Sequence, residues 1–312
     1  MMVKVFIDGK EGTTGLELHE RLKERKDIEL TVLPEEMRKN REARRECINS
    51  SDIVFLCLPD DAARDAVAFV DNDKVRIIDA STAHRTEAGW AYGFPELSQE
   101  MRNNIIKSNR VAVPGCHASG FLALIYPLIK LGIMPSNYPV VCHSLTGYSG
   151  GGKKMIAEYD AMRESGSLKA PRQYALSQEH KHLKEMQYIG GLQALPLFNP
   201  IVCDYYRGME VTVPIYSALL INQPDARHVH AALSGYYEGQ KLVKVMPFEY
   251  ELSGNMLAAD MLAGHNGMNI QIFGNSERIV LSAVFDNLGK GASGAAVQCM
   301  NIMLGLPDDY MM

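Results

Sequence analysis

The run Pro114-Gly115-Cys116-His117-Ala118-Ser119-Gly120 places a cysteine between a short apolar strand, residues 110–113, and an apolar helical run beginning at Phe121. A sulfur at a helix N-terminus faces unpaired backbone N–H groups and the positive end of the helix dipole. Such a setting draws a cysteine pKa from about 8.5 toward neutrality, so that the nucleophilic thiolate exists at cellular pH. The same chain opens with a glycine-rich strand–turn–helix of the dinucleotide-binding kind. A thiolate combined with a nicotinamide points to chemistry at the acyl and aldehyde oxidation levels, carried through a thioester.

The glycine segment reads Gly9-Lys10-Glu11-Gly12-Thr13-Thr14-Gly15. The first glycine permits a tight turn, the second lets backbone approach a pyrophosphate, and the third allows close packing of helix on strand. Alone, the pattern also fits an ordinary turn. Leu58-Pro59-Asp60 ends a later apolar strand and belongs on the same sheet edge. Where an NAD site would carry Asp or Glu at the end of its second strand, this chain has Leu33-Pro34, followed by Arg38, Lys39 and Arg41. That favours a ribose 2′-phosphate and hence NADP. The same basic residues, with Glu35, Glu36, Arg44 and Arg45, equally fit a solvated helix face.

The cysteine needs an acid–base partner. His117 is its neighbour but projects differently from a helix start. The better source is the segment 177–188, read as a helix, which carries His180 and His182. Two residues apart on a helix do not share a face, so only one is expected at the sulfur. Gly147-Tyr-Ser149-Gly-Gly-Gly-Lys153-Lys154 follows a strand and precedes a helix. It reads as an anion nest for phosphate or carboxylate, or as a flexible loop with solvated lysines. Neither HExxH nor paired CxxC spacing occurs, so no resident metal is expected.

These groups must be positioned by 312 residues, of which 46% are hydrophobic, at a formal net charge of −5. That balance argues against nucleic acid as partner. No leader-like segment is read at the start, and the apolar stretch 121–134, interrupted by Pro127 and Lys130, is too short for a bilayer. Six cysteines without a framework of spacings fit free thiols and a cytoplasmic location. Strands at 3–7, 29–33, 53–58 and 75–79 alternate with helices at 16–26 and 61–70, which predicts an α/β, Rossmann-like parallel sheet ending near Pro114. Beyond it, strands at 140–145, 195–203, 208–216, 242–246, 268–273 and 278–285 have few helices between them. Helices are read at 154–165 and 225–237. This half is therefore expected to be α+β with a mixed sheet, closed by a helix at 291–304.

The ordered set of segments resembles the N-acetyl-γ-glutamyl-phosphate reductase family in its shorter form, a group close to aspartate-semialdehyde dehydrogenase. The resemblance is carried by the glycine turn, Leu56-Cys-Leu-Pro59, Ile78-Asp-Ala-Ser81-Thr-Ala-His-Arg85, Tyr92-Gly-Phe-Pro-Glu-Leu97 and Val113-Pro-Gly-Cys116. Further along it includes Gly147–Lys154, His180-Lys-His182, Tyr206-Arg207-Gly-Met209 and Asp286-Asn287-Leu-Gly289-Lys-Gly-Ala-Ser-Gly-Ala-Ala-Val-Gln298. Lys10-Glu11, His117 and Phe198 depart from the commoner long form.

The resemblance implies a dinucleotide-binding domain at 1–114, a catalytic and dimerisation domain at 115–285, and a tail at 286–312 returning to the first. It implies NADPH held by Gly9, Gly12, Thr13, Thr14, Gly15, Arg38, Lys39, Pro59 and Ser81, with Asn287 and Gly289 near the nicotinamide. Cys116 would form the thioester, with His180 or His182 as acid–base. Ser149, Lys153, Arg207 and Arg85 would anchor a small-molecule acyl phosphate, although Arg207 also fits an arginine paired with a carboxylate at a turn. A homodimer or homotetramer is expected. Competing expectations are an aspartate-semialdehyde dehydrogenase, a reductase of a carrier-linked acyl phosphate in lysine synthesis, and a nucleotide-sensing regulator without turnover.

Overall fold

The structure is a computed structural model that describes residues 2–248 and 251–312. The chain forms two compact units, one running through Gly115 and resumed at Ala292–Met312, the other Cys116–Gly291.

The first unit alternates β1 (Val3–Asp8), α1 (Thr13–Leu22), β2 (Ile28–Thr31), α2 (Arg41–Asn49), β3 (Ile53–Leu56), α3 (Asp60–Ala68) and β4 (Arg76–Asp79). It continues through β5 (Ala91–Tyr92), α4 (Gln99–Lys107) and β6 (Arg110–Ala112). Among the described residues the strands pair in the order β2-β1-β3-β4-β6-β5, every pairing parallel. Ile53-Val-Phe-Leu56 is buried throughout because helices cover both faces of such a sheet. Side-chain caps fix helix starts that the sequence leaves ambiguous. Asn40 Oδ1 accepts from the Ala43 amide at 3.1 Å, and Ser98 Oγ from the Met101 amide at 3.1 Å. The α2 run is not wholly the solvated face that its charges allow: Arg44 is buried against Asp8, with Nε and Nη2 at 3.0 and 2.8 Å from the same carboxylate oxygen.

The second unit opens with α5 (Cys116–Lys130), followed by β7 (Val141–Gly147), α6 (Gly152–Glu164), β8 (Arg172–Gln173), α7 (His182–Gly190), β9 (Leu197–Cys203) and β10 (Met209–Tyr216). Then come α8 (Ala226–Tyr236), β11 (Val243–Val245), β12 (Met268–Gly274) and β13 (Arg278–Phe285). Among the described residues its sheet is mixed, in the order β11-β12-β13-β10-β7-β9-β8. The pairs β11–β12 and β7–β9 are parallel and the rest antiparallel. Helix α5 is buried all round from His117 to Leu128 and packs on β10 and β13. At Gly120 an added Cβ would lie 2.5 Å from Val211 Cγ2 and 2.7 Å from Phe285 Cε1, so only glycine permits that approach.

Pro127 does not end α5. A proline has no N–H for the carbonyl four residues back, and here the Tyr237 hydroxyl donates to that carbonyl, Ala123 O, at 2.8 Å. The helix read at 177–188 starts only at His182. Ala175 and Gln178 stand at φ +52° and +58°, and the Gln178 side chain bonds both the amide and the carbonyl of Phe198 at 2.9 Å, which holds this segment as a loop against β9. The strands β5 and β8 and the helix α4 lie outside the sequence reading.

A π-turn, Gly289–Ser293, leads into α9 (Gly294–Met303), which packs on α4 and β4 in the first unit. Arg25 Nη1 donates to Asn301 Oδ1 at 2.7 Å and Gln298 Nε2 to Glu96 Oε1 at 2.8 Å. The compact units meet at 291/292, six residues beyond the expected 285/286 boundary. Asp286–Gly291 stays with the second unit because Asn287 bonds Gly208 N and Ser149 Oγ within it. Among the described residues no helix is long and apolar enough to cross a membrane.

Candidate active site

The carboxyl ends of β1, β3 and β4 build the edge where a dinucleotide would lie. Gly9 stands at φ +90°, and a Cβ there would meet Cys57 O at 2.4 Å. A Cβ on Gly15 would meet Gly9 O at 2.4 Å, while at Gly12 the nearest atom is 3.6 Å away. The first and third glycines are therefore demanded by the protein's own packing, and the second leaves room. The turn is closed by the Gly12 amide on Gly9 O at 3.1 Å. Helix α1 has no side-chain cap, and the Thr13 hydroxyl at its first position is buried with no hydrogen-bond partner. A buried hydroxyl without a partner is costly. Uncapped amides and an unsatisfied hydroxyl at a helix N-terminus fit a pyrophosphate.

Pro59 is the N-cap of α3, and Asp60 beside it bonds Thr82 through both the backbone amide, at 2.9 Å, and the hydroxyl. Buried Asp79 gathers Ser81 N and Oγ at 2.9 and 2.7 Å and His84 Nδ1 at 2.6 Å, with the His84 ring stacked on Trp90. Thus Gly9–Gly15, Pro59 and Ser81 come together at one edge. Arg85 reaches Val113 O at 2.9 Å and Ala80 O at 3.3 Å, bracing the strand ends that lead to Cys116. Arg38 is exposed beyond β2 and sits 3.5 Å from Glu35, with Lys39 exposed beside it.

In the second unit Cys116 is the first residue of α5 and is partly exposed. Its sulfur, one nitrogen of His117 and one of His182 all lie within 4.8 Å of one another. Both histidines of the 180–182 pair converge on this cluster. Ring centroids are 4.8 Å apart for His180–His182, 5.6 Å for His117–His180 and 5.4 Å for His117–His182. Of the pair, His182 is the one whose ring nitrogen joins the sulfur's cluster, as expected, although the pair straddles the start of α7 and does not lie within one helix. Phe198, from β9, packs its ring on His117 and His180 at 5.2 and 5.1 Å.

His117, set aside in the sequence reading, is central here. Its Nδ1 lies 2.7 Å from Ser144 Oγ on β7, and its Nε2 2.8 Å from the Tyr174 hydroxyl. Burial, then the electrostatic influence of His180 and of Lys181, pulls its pKa down to about 3, so the ring is neutral at working pH. Burial, then the charge at Cys116, pushes the Tyr174 phenol up, keeping it a proton donor. Glu185, one turn beyond His182 on α7, is buried. Neither Ser144 nor Tyr174 carried a motif; each is placed by strand pairing.

A second group flanks the cysteine. Gly291 approaches so closely that a Cβ on it would lie 3.0 Å from Cys116 Cβ. Asn287 donates to Ser149 Oγ at 3.0 Å and accepts from Gly208 N at 2.9 Å. Buried Asp286 pairs with Arg207 at 2.6 Å and accepts from Leu288 N at 2.8 Å. So Ser149, Arg207 and Asn287 are brought together, and Arg207 does pair with a carboxylate at a turn. Gly289 is required by a neighbour, since a Cβ would fall 2.3 Å from His265 O. Lys153 is exposed in the first turn of α6.

Residues 4–105 match the semialdehyde dehydrogenase NAD binding domain, and residues 116–287 match the semialdehyde dehydrogenase dimerisation domain. The chain is 46% identical over 305 residues to N-acetyl-gamma-glutamyl-phosphate reductase 2 of Pseudomonas putida, covering 96% of each. It is 46% identical over 315 residues to the protein of that name from Nostoc, covering 98% of each. Aspartate semialdehyde dehydrogenase II of Vibrio cholerae shares its fold at a TM-score of 0.72 and 17% identity, covering 99% of both chains.

Proposed function

This chain belongs to the semialdehyde dehydrogenase family, and from that premise we propose that it reduces N-acetyl-γ-glutamyl phosphate to N-acetylglutamate semialdehyde and inorganic phosphate, a step of arginine biosynthesis. The observation that carries the reading is Cys116 at the first position of α5 with His117 and His182 nitrogens gathered around its sulfur. Names of relatives at 44–46% identity over nearly the whole chain select the substrate.

The Cys116 thiolate attacks the acyl carbon and phosphate departs, leaving a thioester. This divides one hard displacement into two easier steps. The first-turn amides of α5 face the developing oxyanion, each such donor being worth about 3–4 kcal/mol. The bound nicotinamide dinucleotide supplies the hydride that takes the thioester carbonyl to the aldehyde level. His180 or His182 holds the proton that the tetrahedral oxygen and the departing sulfur exchange. Tyr174 stays protonated and its hydroxyl is held 2.8 Å from His117 Nε2. Ser149, Arg207 and Lys153 bind the phosphate and carboxylate groups of the substrate; Arg85 braces the strand ends from within the first unit.

The cofactor is a nicotinamide dinucleotide, and we assign it as NADPH. Gly9, Gly12, Gly15 and the hydroxyls of Thr13 and Thr14 receive the pyrophosphate. Pro59 and Ser81 line the same edge, Arg38 and Lys39 take the 2′-phosphate, and Asn287 and Gly289 border the nicotinamide. The enzyme works in the cytoplasm as a homodimer or homotetramer assembled through the second unit, the part that matches a dimerisation domain.

The test is the reverse reaction: N-acetylglutamate semialdehyde, phosphate and NADP⁺, followed by absorbance of the reduced cofactor, with and without prior iodoacetamide. Phosphate-dependent turnover abolished by alkylation of Cys116 is expected. Activity with aspartate semialdehyde alone would move the substrate, and binding of cofactor without turnover would favour a regulator.

A further inference from the structure

We propose that the Cys116 pocket is also an inhibitory site for a thiophilic divalent cation of the zinc class, which takes the nucleophile as a ligand and blocks acyl transfer. The inference rests on the donor geometry of the second unit and not on the identity of the substrate.

Three donors, one sulfur and two imidazole nitrogens, lie within 4.8 Å of one another. They come from one helix start and one loop–helix junction, Cys116 and His117 at the head of α5 and His182 at the head of α7. A tetrahedral zinc ion has Zn–S near 2.3 Å and Zn–N near 2.0–2.1 Å, which sets its ligand atoms about 3.3–3.7 Å apart. Closing from 4.8 Å therefore needs movements of roughly an ångström, within the reach of side-chain torsions. One sulfur with two imidazoles is a donor set that zinc accepts with a fourth position left open. Carboxylate-preferring cations such as magnesium are poorly served by it.

An orienting partner for the ligand is already in place. Imidazoles that bind metal are held through their other nitrogen, and the Ser144 hydroxyl lies 2.7 Å from His117 Nδ1. That leaves Nε2, 2.8 Å from the Tyr174 hydroxyl, as the nitrogen the cation takes. Binding displaces Tyr174 and forms a metal–sulfur bond, and the thiol proton passes to solvent. The sulfur lone pair needed for attack on an acyl carbon is then committed to the metal. Cys116 is partly exposed, so an ion can enter from solvent.

Cobalt(II) is the probe, because it reports both thiolate ligation and tetrahedral geometry by absorption without turnover. One equivalent added to the purified full chain should produce a sulfur-to-cobalt charge-transfer band with intensified visible bands. Zinc(II) should bleach them stoichiometrically, and a chelator should reverse the process. Cys116→Ser should abolish the charge-transfer band. His182→Gln should remove the tetrahedral spectrum, and Ser144→Ala should weaken cobalt binding about tenfold by loosening His117. Far-UV dichroism identifies any variant that fails to fold, and alkylated wild-type protein then serves in place of Cys116→Ser. A band that persists after loss or alkylation of Cys116, or no band at stoichiometric cobalt, overturns the proposal. A band with the expected dependences sustains it even if the semialdehyde assay fails.

Discussion

The Asp8–Arg44 pair beneath the glycine turn offers the sharpest energetic test of the first unit. Asp8 ends β1, directly before Gly9, and is 3% exposed. Burial raises its pKa, and the Arg44 guanidinium, with two nitrogens at 3.0 and 2.8 Å, pulls the other way. Arg44→Met keeps the stem that packs near Phe69 and removes the charge. An unpaired buried carboxylate costs about 3–5 kcal/mol, against a native stability on the order of 5–15 kcal/mol. The sign with pH follows from linkage. A folded-state pKa above the unfolded value of about 3.9 means that the folded protein binds the proton first. The deficit of Arg44→Met is therefore largest near pH 7 and shrinks as pH falls through the raised pKa, by up to about 1.4 kcal/mol per pH unit. Asp8→Asn in the same background should restore most of the loss, since a neutral amide no longer needs the guanidinium. The assay is urea unfolding followed by the fluorescence of Trp90, the chain's one tryptophan, which lies in the first unit. A loss below about 1 kcal/mol, a deficit independent of pH, or costs that simply add in the double variant would refute the assignment of a buried, mutually dependent pair.

Thr13→Val should act with opposite signs on two measurements. The free protein should gain up to about 1 kcal/mol in thermal unfolding, because a buried hydroxyl without a partner is removed. Dinucleotide affinity by calorimetry should fall several-fold, and unchanged affinity would remove Thr13 from the cofactor site. Replacing Arg38 and Lys39 together with methionine should raise the Kd for NADPH tenfold or more while leaving NADH within about twofold, an exposed charge pair on a phosphate being worth roughly 1–2 kcal/mol. A constant ratio of the two affinities would exclude a 2′-phosphate contact there. Cys116→Ser should abolish reduction and leave dinucleotide binding within about twofold, since the sulfur is placed as nucleophile and not as cofactor ligand; equal loss of both would contradict that role.

What the sequence made legible is local. Gly9 and Gly15 are readable because their constraint, a positive φ at Gly9 and at both a carbonyl oxygen only 2.4 Å from where a Cβ would stand, is imposed within a few residues or by the adjacent strand. Buried parallel strands announce themselves as unbroken apolar runs, as at Ile53–Leu56. Short pieces such as β8 at Arg172–Gln173 carry no periodicity at all and exist only because β9 offers an edge. The site divides in the same way. Cys116 is marked by the strand and helix on either side of it. Ser144 and Tyr174 reach His117 through the pairing of β7 with β9 and the bond of Tyr174 N to Pro200 O at 3.1 Å, both set by residues far along the chain.

The two histidines show an expected outcome reached by a different local structure: His182 alone joins the sulfur's cluster, yet no helix spans the pair. Residues i and i+2 do diverge on a helix, but Gln178 commits its side chain to Phe198 and adopts φ +58°, so no helix runs through it, and α7 begins at His182. In that loop geometry the His180 Nδ1 accepts from the His182 amide at 3.2 Å. His180 thereby caps the helix that presents His182 and still turns its ring toward His117. Pro127 makes the parallel case for α5. The field at Cys116 arises in the first turn of the helix, so a proline eleven residues on has little electrostatic effect there. What the Tyr237 hydroxyl supplies by bonding Ala123 O is a partner for the carbonyl that Pro127 leaves open, within a helix that continues over β10 and β13. That passage fixes where the helix start, and with it the sulfur, stands relative to the β7 and β9 residues that hold the imidazoles.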